Sequence, residues 1–135
     1  MDVASLDPCS LLATSDLADY GTFNGPNPKI LGGDNVCQFT RKVASASDPS
    51  MIITVGVRKS AGIAAVNDLG GGVLPREVNG RKAMEAPSDS GCTLALDLGP
   101  KNRVDVQVLG VEKTQACDAA EKLATASIEP KMPKA

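Results

Sequence analysis

The chain has 135 residues, 42% of them apolar and 22% charged, and a formal net charge of −2, which is the scale of one domain with one core. Fourteen Lys plus Arg stand against 16 Asp plus Glu with no basic cluster, which excludes the electrostatic footprint of a nucleic-acid binder. The sequence contains no His, so the commonest general base, the Ser-His and Cys-His nucleophile pairs and His-containing zinc sites are excluded, and three aromatics (Tyr20, Phe23, Phe39) leave no stacking platform for bases or sugars.

No apolar run approaches the roughly 20 residues that span a bilayer. Met1 and the polar "DVAS" after it have neither a basic n-region nor an apolar h-region. Residues 1–6 are therefore expected to be a disordered remnant of a linker from which an upstream signal has been removed. In "LDPCSLLATSDLADYG", Asp7 is a helix cap and Pro8 suits a first helical position, so Cys9 sits on a rigid turn. Thr14 restarts the helix, with Asp16 near its positive end, and Gly21 stops it. Residues 22–35 are rich in Gly and Pro and are expected to be loop. "VCQFT" (36–40) and "MIITVGVR" (51–58) are β-branched apolar runs on either side of the polar stretch 44–50, and they predict two antiparallel strands.

Ile63, Val66 and Leu69 recur at helical spacing, which allows a short helix over 61–69, although Gly62 and Asn67 weaken it. Asn79-Gly80 is the strongest hairpin signal in the chain and predicts a strand over 81–86. "CTLALDL" (92–98) and "NRVDVQVLG" (102–110) alternate apolar and polar residues around a Gly-Pro turn, as a hairpin with one wet face would. "TQACDAAEKLATASI" (114–128) places Cys117, Ala120, Ala124 and Ile128 on one stripe behind Thr114 as cap, which predicts an amphipathic helix. The whole reads as an α+β domain over 7–129: an antiparallel sheet of about five strands, N- and C-terminal helices packed on one face, and a flexible tail over 130–135.

Cys9, Cys37, Cys92 and Cys117 include no C-x-x-C pair, so two disulfides are expected rather than a thiolate metal site or a redox centre, and the chain is expected to work in an oxidising compartment. In a simple meander the hairpin after Cys92 returns the chain to that end of the sheet seven residues before Cys117, while Cys37 and Cys92 lie at opposite ends. The expected pairs are Cys9 with Cys37 and Cys92 with Cys117. Cys9–Cys117 with Cys37–Cys92 stays open if the link from 59 to 80 reverses a strand.

Other chemistry is sparse. Ser88, Asp89 and Ser90 lack a base and read as a turn. "LGGGVLP" (69–75) lacks a following Lys-Ser/Thr and reads as a connector rather than a phosphate cradle. Asp16 and Asp19 are too few oxygens for a calcium cage. Arg76, Glu77, Arg81 and Lys82 form the densest charge cluster and are the candidate contact surface, with a solvated face as the plainer reading. No catalytic residue, metal site or cofactor is expected.

The "DPCSLL" opening, the "CQF" strand, "VNGRKA" before "GCTLALDL", and the fourth cysteine in "ACDAAEKLA" resemble a family of actinobacterial cell-envelope lipoproteins classed as a domain of unknown function. The likeness runs from Asp7 to about Pro133. Such lipoproteins carry an N-terminal signal and a lipid-modified cysteine ahead of a polar linker, and usually Trp two residues after the second cysteine, where this chain has Phe39. A looser similarity links the cysteine order and terminal helices to extracellular sensor domains of mycobacterial receptor kinases. The resemblance implies no catalytic residues. The expectation is an exported, monomeric, non-enzymatic domain that binds an envelope protein or senses a small ligand, and touches the membrane only through a lipid absent from this sequence. The alternatives are a lipid or small-molecule carrier with an apolar pocket between sheet and helices, and a His-free enzyme.

Overall fold

The computed structural model describes residues 6–43 and 50–133. Seven strands build one antiparallel sheet: β1 (Phe23–Leu31), β2 (Asp34–Arg41), β3 (Ile52–Arg58), β4 (Leu74–Val78), β5 (Arg81–Ser88), β6 (Gly91–Asp97) and β7 (Arg103–Leu109). Their spatial order is β1-β2-β3-β7-β6-β5-β4. Two meanders, β1 to β3 and β4 to β7, are thus joined where β7 pairs with β3, and residues 59–73 carry the chain from mid-sheet to the far edge. The polar stretch 44–50 lies outside the described residues except for Ser50, as do positions 1–5.

The expectation of about five strands is corrected to seven, and both additions are edges. Positions 22–35 are not a loop. Gly32 and Gly33, at φ of 59° and 85°, close a tight turn between β1 and β2. In β1 only Phe23 is buried, so that strand shows no apolar alternation. β4 likewise buries Val78 alone. Pro26 and Pro28 in β1 and Pro75 in β4 are tolerated because an edge strand leaves one side of its ladder unpaired, and they blunt both edges against further pairing.

Alternation divides the sheet into two faces. The inner row Cys37, Val55, Val106 and Leu94 runs in register across four strands, flanked by Ile53, Val108 and Cys92 on one side and Val57, Val104 and Leu96 on the other. All ten are at most 1% exposed. Among the described residues the covering layer has one α-helix, not two. The N-terminal segment forms 3-10 turns at Pro8–Ser10 and Thr14–Tyr20, which bury Leu11, Leu12 and Leu17. The C-terminal helix α1 (Lys113–Leu123) lies on β5, β6 and β7 with Ala116, Ala119, Ala120 and Leu123 beneath it. Its cap is Glu112 rather than Thr114: the carboxylate accepts from the Thr114 and Gln115 amides at 3.0 and 2.9 Å.

The helix loosens to a π-turn over Ala124–Ile128 and a 3-10 turn over Glu129–Lys131, and Met132 is buried in the core. The ordered chain therefore continues past the boundary read at 129. Over 61–69 the structure has only a 3-10 turn at Ile63–Ala65, where Gly62 lies against the β6–β7 turn so closely that a Cβ would sit 2.5 Å from the Pro100 carbonyl oxygen. That contact holds the segment against the sheet in place of a helix.

Each disulfide fastens one piece of the covering layer to one meander. Cys9 joins Cys37 on β2, and Cys117 of α1 joins Cys92 on β6. Asp7 rigidifies the first anchor: its carboxylate accepts from the Cys9 amide at 2.9 Å.

Candidate functional site

The outer face is covered over only part of its width. Thr54, Gly56 and Arg58 of β3 stand in register with Gln107, Asp105 and Arg103 of β7, all pointing away from the helix layer. Gly56 lies between Val36 and Asp105, and a Cβ there would come within 3.1 Å of Val36 Cγ1. A strand glycine between two larger neighbours makes a trough, and a groove of about 320 Å³ opens there.

Its floor is polar. Thr54, Gln107 and Thr93 form a row across three strands, with Gln107 Nε2 donating to Thr93 Oγ1 at 3.4 Å. Its walls are apolar. Leu31 at the β1–β2 tip bounds it on the β2 side and is 54% exposed. On the β6 side the groove runs on into a hollow of about 150 Å³ bounded by Val66 and Leu69, the latter 45% exposed.

One end is closed by charge. Arg58 lies 2.9 Å from Asp34 and 3.6 Å from Asp105, and Arg103 meets Asp105 at 2.8 Å. Burial lifts the Asp105 carboxyl above its usual range. Arg103 and then Arg58 pull it back, and Asp34 raises it again. These charges pair chiefly with one another, although Arg58 Nε makes no hydrogen bond at its 2.9 Å approach to Asp34, and no described groove residue combines a nucleophile with a base.

The segment 66–72 that forms one wall is held by its own atoms. Asp68 Oδ1 accepts from the Gly70 and Gly72 amides at 2.8 and 3.0 Å, and the Gly71 amide donates to the Pro87 carbonyl at 3.2 Å. The Gly70 and Gly72 bonds lower the Asp68 pKa, and all three occupy the amides a phosphate cradle would need.

The candidate cluster Arg76, Glu77, Arg81 and Lys82 is divided between two roles. Arg81 is a clamp: its side chain is 7% exposed and donates to the Asp97 carbonyl at 2.7 Å, to Glu129 Oε2 at 3.0 Å and to the Pro133 carbonyl at 2.9 Å. Arg76 turns to Glu85 at 3.2 Å. Glu77 and Lys82 are exposed cross-strand neighbours. The four do not converge on one site.

Two features that sequence reasoning missed are functional candidates. The groove floor was visible in outline, since "TVGVR" and "RVDVQV" put polar residues of matching register on the wet face, with a glycine marking the trough. Glu85 gave no such signal. It is 2% exposed on the inner face, and its pKa is raised from 4.5 to about 7 by burial, then by a hydrogen bond to Glu121 and by that residue's charge, against the pull of Arg76. One ligand atom from each of Glu85, Cys92 and Cys117 lies within 4.8 Å of the others.

Among the described residues no helix is long and apolar enough to cross a membrane. The sequence profile of DUF3558, described as a protein of unknown function, matches residues 2–129, and the chain belongs to this family. No curated protein and no solved structure matches.

Proposed function

We propose that this DUF3558 domain is an exported, lipid-anchored, non-enzymatic binding module of an actinobacterial cell envelope, which holds an extended segment of a partner protein along its outer-face groove. The observation that carries the reading is the groove itself: an open trough with a hydrogen-bonding floor and two exposed leucines as walls, on the face the helix layer leaves uncovered. An extended chain alternates its side chains and offers amides and carbonyls on both edges, so it pairs with such a floor while placing apolar groups against Leu31 and Leu69. Export is supported by the two disulfides, and the lipid anchor by the resemblance of the cysteine-bearing motifs to envelope lipoproteins.

An apolar carrier pocket between sheet and helices is less favoured, because Leu11, Leu12, Ile53, Leu94, Leu96 and Ile128 fill that layer and are at most 1% exposed. The mutual pairing of the groove charges favours binding over catalysis.

A photoreactive residue at Thr54, in the middle of the floor, tests the proposal in the tethered protein on intact envelope, with the same residue at the exposed Lys122 of α1 as control. A discrete adduct from position 54 and none from 122 is expected. Equal labelling from both positions, or none from 54, contradicts the groove as the contact surface.

A further inference from the structure

The inner face carries a side-chain cluster that the groove does not use. Glu85 on β5, Cys92 on β6 and Cys117 on α1 converge between sheet and helix, with a ligand atom of each within 4.8 Å of the other two. Glu85 Oε2 is buried and has no hydrogen-bond donor. The Glu121 carboxyl, one helical turn beyond Cys117, acts on Glu85 from the helix, so a second acid faces it there. Arg76 is the cation paired with Glu85, at 3.2 Å, and with its side chain 45% exposed it has room to swing into solvent.

We propose that reduction of the Cys92–Cys117 disulfide opens a site for a thiophilic divalent cation such as zinc, held by the two thiolates and the Glu85 carboxylate. A dithiol reductant supplies two electrons and is itself oxidised to its disulfide. The S–S bond breaks, Cys92 and Cys117 become thiols, and the metal displaces their two protons to solvent as two metal–sulfur bonds form. Reoxidation reverses the sequence and releases the ion.

The geometry needs little adjustment. In the disulfide the Cα atoms are 5.1 Å apart. Two zinc–sulfur bonds of about 2.3 Å at a tetrahedral angle set the sulfurs about 3.8 Å apart, a distance that side-chain rotation can supply without strand movement. Cys117 is half-buried, which gives a reductant one sulfur to attack, whereas Cys92 and Glu85 are held from below by the β5–β6 ladder. Charge points the same way. Two thiolates beside Glu85 and Glu121 put four acidic groups against Arg76, and a dication neutralises what that guanidinium cannot. Glu121 or a water completes the fourth position.

The probe is cobalt(II), titrated into protein reduced with a phosphine, with zinc as competitor. The expected result is one equivalent bound, a thiolate-to-cobalt charge-transfer band, displacement by zinc and a rise in the melting temperature of the reduced protein. Glu85→Gln, which keeps the side-chain shape, is expected to weaken binding by about tenfold or more. A Cys9→Ser/Cys37→Ser variant is expected to bind cobalt as the parent does. If reduction unfolds the chain, far-UV circular dichroism reads whether zinc restores the fold, as the proposal requires. Absence of binding, binding unchanged in Glu85→Gln, binding lost with Cys9 and Cys37, or a reduced chain that zinc leaves unfolded would each overturn it.

Discussion

Arg103 donates to the carbonyl oxygen of Gly62 at 2.9 Å, and this bond fastens the segment crossing the outer face to the strand at the centre of the sheet. The same guanidinium holds Asp105 at 2.8 and 3.3 Å, so one side chain sets both the wall and the charged end of the groove. Arg103→Ala leaves Asp105 without its strongest partner and frees the wall. The expected cost is about 3 kcal/mol in urea unfolding, with faster amide exchange over 62–69. A loss below about 0.5 kcal/mol would show that the network does not hold the wall.

Arg81 and Lys82 are neighbours in sequence with opposite duties, and a pair of substitutions separates them. Arg81→Ala removes two bonds that fix the C-terminal segment, to Glu129 and Pro133, and a third that anchors the guanidinium to β6 at Asp97, and should cost about 2 to 3 kcal/mol, releasing Met132 to solvent. Lys82→Ala should change stability by no more than about 0.5 kcal/mol. Equal effects in chemical denaturation would contradict the clamp.

Glu85 makes stability depend on pH in a definite direction. Its carboxyl ionises at an ordinary 4.5 when exposed and at about 7 in the fold, so folding favours the protonated form. That contribution is complete below about pH 4.5 and is lost as the pH rises through 7. The protein should therefore resist urea better at pH 5 than at pH 8, and Glu85→Gln should flatten the difference between those two values. An unchanged slope in the variant would remove Glu85 from the account.

The disulfides close loops with sequence separations of 28 and 25 residues, and each should contribute on the order of 3 kcal/mol by restricting the unfolded chain. Reduction should lower the melting temperature by several degrees for each bridge. A melt unaffected by reduction would show that the sheet and helix layers hold without their cross-links.

What the sequence displayed and what it hid follow from burial. Strands β3, β6 and β7 and the α1 stripe carry apolar residues at strict spacing because the core needs them there, and those spacings mark an antiparallel sheet with a C-terminal helix. The edges β1 and β4 bury one residue each, Phe23 and Val78, and contain prolines. No pattern separates them from loop. The N-terminal turns were legible as helical through Asp7 and Pro8, but not as 3-10, since that choice depends on how Leu11, Leu12 and Leu17 seat on the sheet. The order of the strands depends on the path of residues 59–73, which is fixed by long-range contacts such as Gly62 with Pro100 and Arg103 and the Gly71 amide with the Pro87 carbonyl. The groove inherits that dependence. Its floor was visible as a wet face, whereas its walls exist only once the crossing segment and the β1–β2 tip are placed. Charge density alone does not show how positions 76–82 divide: Arg81 is buried against Glu129, 48 residues on, whereas Arg76 pairs across its own hairpin with Glu85 and stays half-exposed.

Phe39, two residues after the second cysteine, is fully buried against the inner face. Phe39→Ala should cost about 3 to 5 kcal/mol through the cavity it leaves. Urea unfolding checks it.

Two cross-links hold the covering layer on the sheet, and the proposed export to an oxidising compartment requires both to be closed in the native protein. Native protein recovered from the envelope, alkylated before any reductant is added and weighed intact, tests this most directly. The account predicts no alkyl group before reduction and four after it, one for each cysteine. Four groups before reduction would contradict it.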